Sequence, residues 1–170
     1  MNKQRFILFS LISVAVLQIM YYYPLLPSTV ASHFDAAGNP NGCSSKKQFV
    51  GIYMVVILMM SLSSLVLPLL LKYIPISLIN LPKKVYWLAP ERKETTFLFI
   101  AETMLILGNA TTLFLIITFQ LAFEANLSST RHFSSETMFI LLGCYFFFIA
   151  VWLIRFMVRF RRTGKDQTQS

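Results

Sequence analysis

Pro24-Leu-Leu-Pro-Ser-Thr-Val-Ala-Ser-His-Phe-Asp-Ala-Ala-Gly-Asn-Pro-Asn-Gly-Cys43 is the one long non-apolar break in the first 70 residues. The sequence on either side is greasy enough to sit in lipid, so this stretch must emerge into water. It carries His33, one of two histidines, and Asp35, one of seven acids. Any water-side chemistry in the first half of the chain starts here.

Working outward, the composition agrees with a chain that lives mostly in lipid. Of the 170 residues 56% are hydrophobic and 13% charged, with a mean hydropathy of +0.63. A soluble domain carries roughly 25% charged residues. The apolar runs are too long for a water-soluble core, so the composition reads as a polytopic membrane protein. The net charge of +8 is then read by position, because bases beside spans set orientation and meet anionic headgroups. Those bases are scattered between spans and form no soluble basic face, which argues against nucleic acid as a partner. Two cysteines, Cys43 in the first loop and Cys144 inside the last apolar run, do not make a disulfide framework and read as free thiols.

Four spans are predicted, over about 6–23, 49–73, 97–123 and 138–158, in a single membrane domain covering 1–170. The first is about 18 residues long, just enough to cross a hydrocarbon core of roughly 30 Å, and Tyr21, Tyr22 and Tyr23 close it like an aromatic belt. Val30-Ala-Ser32 has the small residues of a signal-peptide cleavage site, but it lies too far from the apolar run, beyond two prolines. An uncleaved span is the expectation. Pro24 and Pro27 are expected to end that helix. The loop 24–48 follows, with the turn dipeptides Asn39-Pro40 and Asn41-Gly42. It resembles a calcium loop in passing. Counted from Asp35, however, the third position is Ala37 and the twelfth Lys46, where an EF-hand needs Asp or Asn and then Glu.

The second span contains Pro68, which can kink a membrane helix, and Ser61-Leu-Ser-Ser64, which suits close helix packing. In the loop 74–96, Tyr86 and Trp87 beside Lys83 and Lys84 read as a segment in the headgroup region, aromatic faces toward lipid. Pro90 is the expected first position of a helix, with Glu91 and Glu94 in its opening turn, running unbroken into the third span. Glu102 lies within that span. An intramembrane acid is a functional candidate by default, and near an interface it can equally pair with Arg92 or Lys84. The loop 124–137 carries Arg131 and His132, and the tail 159–170 is polar.

Four spans put both termini on one side. That side would hold twelve of the fifteen bases, and the opposite side only Lys46, Lys47 and Arg131. The positive-inside rule then predicts cytoplasmic termini and middle loop, with 24–48 and 124–137 outside. The expected fold is an all-α bundle of four transmembrane helices with an ordered outer loop.

No phosphate loop, nucleophile elbow, zinc-spaced cysteine set or His-Glu-x-x-His helix occurs, so enzymatic chemistry has no foothold and no cofactor or metal is expected. The one metal constellation open to the topology joins His33 and Asp35 with Glu124, His132 and Glu136, if the two outer loops met. Asn126-Leu-Ser128 and Asn109-Ala-Thr111 both fit a glycosylation sequon. The second lies within an apolar run, so the pattern carries no weight at either place.

Two segments resemble a known family. Leu26-Pro-Ser-Thr-Val-Ala-Ser-His-Phe-Asp-Ala-Ala-Gly-Asn-Pro-Asn-Gly42 is similar to the outer signature of the domain of unknown function that opens SdpI-type bacterial membrane proteins. His33, Asp35, Gly38, Pro40 and Gly42 are the matching positions. Asn80-Leu-Pro-Lys-Lys-Val-Tyr-Trp-Leu-Ala-Pro-Glu-Arg92 is similar to an inner stretch of the shorter members, matching at Asn80, Pro82, Lys84, Tyr86, Trp87, Pro90, Glu91 and Arg92. The further C-terminal spans of the immunity protein itself are absent. The resemblance implies a multi-pass inner-membrane protein of immunity or signalling type. Its outer loop, at His33, Asp35, Gly38, Asn41 and Gly42, would meet a peptide or envelope ligand, and its inner loop a cytoplasmic protein. A reading from another class is a small transporter or transporter subunit working through Glu102 and the serine-lined second span.

Overall fold

The computed structural model describes residues 2–162. Its elements run α1 (Asn2–Leu25), β1 (Thr29–Phe34), β2 (Pro40–Ser45), α2 (Lys46–Leu70), a 3-10 turn (Ile76–Leu78), α3 (Lys84–Trp87), α4 (Pro90–Leu127) and α5 (Ser135–Arg161). Among the described residues, α1, α2, α4 and α5 are long and apolar enough to cross a membrane. Their outward faces stay apolar: Phe6, Met20, Met59, Ile140 and Phe147 are all exposed. Apolar surface of that extent suits lipid, and the four candidate spans mark a multi-pass membrane protein.

The helix α4 is the axis of the bundle. It packs on α1, on α2 and on α5, while α5 meets chiefly α4. At Gly108, α2 and α4 approach closely, since a side chain there would run into Ser64. Ser61 and Ser64 are both buried on that face of α2, so small residues set the approach of the two helices.

Three helices are then tied by a half-buried polar chain that ends at the exposed Glu124. Tyr53 Oη donates to Gln18 Oε1 at 2.5 Å, and Gln18 Nε2 donates to Gln120 Oε1 at 2.7 Å. Gln120 Nε2 in turn donates to Tyr22 Oη at 2.5 Å and to Glu124 Oε1 at 2.6 Å. Nothing in the apolar pattern of the sequence pairs these residues. In a low-dielectric interior such amides must find one another or remain unsatisfied.

The helix ends sort into two groups. Away from β1 and β2, Asn109 Nδ2, midway along α4, donates to the Gln4 carbonyl near the start of α1, and Trp87 Nε1 donates to the Phe160 carbonyl at the end of α5. At the other end, the strands β1 and β2 form an antiparallel hairpin pairing Thr29 with Ser45 and Phe34 with Pro40, with irregular register around His33. The loop 24–48, expected only as an ordered connection in an all-α bundle, thus contains a two-stranded sheet. The helix α1 ends at Leu25, between Pro24 and Pro27 as expected, with Pro24 in its last turn. A proline in the last turn costs little, because few downstream residues depend on its geometry, and the Leu26 N–H still reaches the Tyr22 carbonyl.

Candidate functional site

The hairpin end is assembled from side chains borne by the helices. Asn126, on α4, is buried and acts as a third strand for β1. The Ala31 N–H donates to its Oδ1 at 2.6 Å, and its Nδ2 donates to the Ala31 carbonyl at 2.9 Å. One amide thus satisfies both backbone groups of an edge residue that would otherwise be orphaned in the interior. Its burial also removes Asn126 as a glycan acceptor.

At the foot of the hairpin, Ser45 and Gln48 form a capping box on α2. Lys46 Nζ donates to the carbonyls of Tyr23 and Leu26 at 3.4 and 3.3 Å and lies over the Tyr23 ring. A cation on the last carbonyls of α1 complements the negative helix end.

The turn between the strands is organised by Asp35. Its Oδ1 accepts the Asn39 N–H at 2.8 Å, and the Asp35 N–H donates to the Asn39 carbonyl at 2.9 Å. The Asn39 N–H is the foremost reason that the Asp35 carboxyl lies below its ordinary value of 3.8. Slight desolvation opposes it, and the Asn39 side chain and the Ala37 and Gly38 amides add to the lowering. Gly38 has φ +86, a conformation few side chains tolerate. A Cβ there would strike the Phe133 carbonyl. The Gly38 carbonyl instead accepts the Phe133 N–H at 2.8 Å, which locks the turn to the loop before α5.

Beside this turn lies an open groove of about 500 Å³ between β1, α2, α4 and the start of α5. His33 and Asp35 stand on its rim, and Phe49, Phe119, Phe133 and Met138 line it below. A second groove, of about 590 Å³, runs on the other face of the hairpin past His33, Gly42 and Cys43. His33 therefore borders both, its Nδ1 3.1 Å from Ser32 Oγ. Asn41 is exposed on β2. Among the described residues no group of three or more His, Cys, Asp or Glu converges, so His33, Asp35, Glu124, His132 and Glu136 are not brought together as a metal site.

The opposite end is more closed. Trp87 was expected to face lipid, yet it is buried, with its indole edge-on to Phe160 and its N–H on the Phe160 carbonyl at 3.1 Å. The last turn of a helix leaves carbonyls without partners, and the indole satisfies one of them. Thr96 Oγ1 donates to the Trp87 carbonyl at 2.8 Å, and Arg92 Nε donates to the Tyr86 carbonyl at 2.9 Å while its guanidinium stacks over the Tyr86 ring. Lys84 Nζ reaches the Ser77 carbonyl at 3.3 Å. Asn80, Pro90 and Glu91 remain exposed, and Pro82 is half-buried. Glu102 is exposed on α4 and does not point into the bundle interior.

Residues 8–60 match the family described as "Domain of unknown function (DUF1648)". The match takes in most of α1, the whole hairpin and the first half of α2, and it stops before α3. No curated protein and no solved structure matches the chain.

Proposed function

We propose that the protein is a non-enzymatic receptor or immunity-type protein of the bacterial inner (cytoplasmic) membrane. In this reading its termini and the segment between α2 and α4 are cytoplasmic and the hairpin lies outside. The excess of bases in the terminal segments and the loop 74–96 of the sequence supports that orientation. Kinship with the SdpI-type proteins is part of the proposal, and the family match across the hairpin supports it.

The observation that carries the reading is the groove beside the Asp35 turn. An imidazole and a carboxylate stand over an aromatic floor between helices. That combination suits an amphipathic peptide, with an apolar side chain resting against Phe49 and Phe119 and a polar or cationic neighbour meeting His33 and Asp35. The hairpin's rigid turn lowers the ordering cost of such binding. Inside, Asn80, Pro82, Lys84, Tyr86, Pro90, Glu91 and Arg92 would face a cytoplasmic protein, with Trp87 holding that segment in shape. The bilayer is the permanent partner, and the reading involves no nucleic acid and no cofactor.

The test is survival of a sensitive bacterial strain challenged with a panel of amphipathic membrane-active peptides. Expression of the chain is expected to raise survival against at least one of them. His33→Ala, or Phe139→Asp at the groove wall, is expected to return survival to that of the empty strain at unchanged protein level. Identical killing with and without the chain across the panel would remove the immunity reading.

A further inference from the structure

At the end opposite the hairpin, α1, α2 and α4 leave a partly enclosed groove of about 450 Å³. Its walls are aliphatic, from Leu65 and Leu69 on α2 and Leu98 and Leu105 on α4. Its charged lining is Arg5 on α1, Lys72 in the turn just after α2, and Lys93 and Glu94 on α4. Three cations face one carboxylate, so the cleft is positive overall.

Two details show that these cations are not already spent. Arg5 Nε is buried with no hydrogen-bond partner among the described residues. The Lys93 ammonium lies 5.6 Å from the Phe97 ring centre, and no hydrogen bond of its ammonium is found among the described residues. A guanidinium N–H removed from water without an acceptor costs free energy that a phosphate oxygen would recover, in a charge-assisted geometry that arginine favours. The aliphatic walls call for an alkyl chain beside that anion. A ligand satisfying both demands is an anionic amphiphile.

We propose that this groove is a binding site for one anionic phospholipid. Its phosphate lies among Arg5, Lys72 and Lys93, and an acyl chain runs along Leu65, Leu69 and Leu98. Glu94 can accept a hydrogen bond from a headgroup hydroxyl, and the excess of cations favours the net negative headgroup of phosphatidylglycerol over the zwitterionic one of phosphatidylcholine. The site is independent of the peptide-binding reading, since it lies at the other end of the bundle and shares no residue with the outer groove.

The experiment is native mass spectrometry of the full chain in non-ionic detergent, titrated with phosphatidylglycerol or with phosphatidylcholine. Wild-type protein is expected to retain one phosphatidylglycerol per chain in preference to phosphatidylcholine. Removing one cation near the headgroup is worth several-fold in affinity, so Lys72→Gln should weaken retention by about fivefold and the Arg5→Gln/Lys72→Gln double variant by about tenfold or more. Lys47→Gln, at the hairpin end, should change nothing. Lys72 is exposed, so its variant folds and decides the matter even if the double variant does not. Equal retention of the two lipids by the wild type would overturn the proposal, as would undiminished retention in Lys72→Gln. Inorganic phosphate is expected not to compete. Displacement of the lipid by it would assign the cations to a free anion and overturn the lipid assignment.

Discussion

The two ends of the bundle solve one problem in opposite ways. Each must join helices through a segment rich in proline, polar groups and turns. At the hairpin end the chain pairs with itself, and α4 lends Asn126 to hold the edge of the sheet. The aromatic residues there, Phe34 and Phe133 among them, form a floor that leaves the rim open. At the Trp87 end no sheet forms. The segment folds inward, and its largest aromatic closes the last turn of α5. A backbone that is pinned from below can leave its upper side chains free for a ligand. A backbone that is pinned by its own tryptophan spends that side chain on the fold.

The contrast is most sharply broken at Asn126. Asn126→Leu strands the N–H and the carbonyl of Ala31 in a buried site, which costs about 2–4 kcal/mol. Thermal unfolding in detergent should show the loss, and hydrogen exchange should show β1 deprotected while α3 keeps its protection. Equal loss of protection at both ends would mean that the ends are not separately held.

The mirror experiment is smaller. Trp87→Phe keeps the aromatic packing on Phe160 but removes one hydrogen bond, a loss of about 1 kcal/mol. Faster exchange is expected in the last turn of α5 and none at the hairpin. If β1 responds to Trp87→Phe, the two ends are coupled and the contrast fails.

The smallest effect concerns pH, and it should appear at the hairpin end alone. The folded turn depresses the Asp35 carboxyl, so it binds fewer protons there than in the unfolded chain. Its contribution is therefore fully present above the ordinary value of 3.8 and is lost as pH falls through the lower folded value. The amide of Asn39, followed by NMR, should lose its protected shift over that acid window. Asp35→Asn should abolish the transition. A transition that survives in the variant would assign it to another group.

Much of this was legible in the chain before any coordinates. The four apolar runs announce the four long helices, because the bilayer demands length and apolarity that composition cannot hide. Pro90 and Glu91 mark the start of α4 through the chemistry of a helix N-terminus. The hairpin was not legible. Its second strand reads Pro40-Asn-Gly-Cys-Ser-Ser45, poor in strand-forming residues, and it pairs because α4 supplies the missing edge. That edge comes from Asn126, 95 positions from Ala31, and a local motif such as the sequon points the reader elsewhere. The amide chain through Gln18 and Gln120 was hidden for the same reason, since it links α1 to α4 across 102 positions. Trp87 was misplaced because an aromatic beside lysines suits headgroups equally well, and only the nearness of the α5 terminus decides against them.

The length of α4 carries a last consequence. Thirty-eight unbroken residues make a rod of about 57 Å, nearly twice the thickness of the lipid interior. Asn126 grips the sheet near its one tip, and Thr96 grips the tryptophan segment near the other. Each grip sits at its own tip of the shaft, so either fastening can loosen while the other holds, and the helix between them fixes only how far apart they stand.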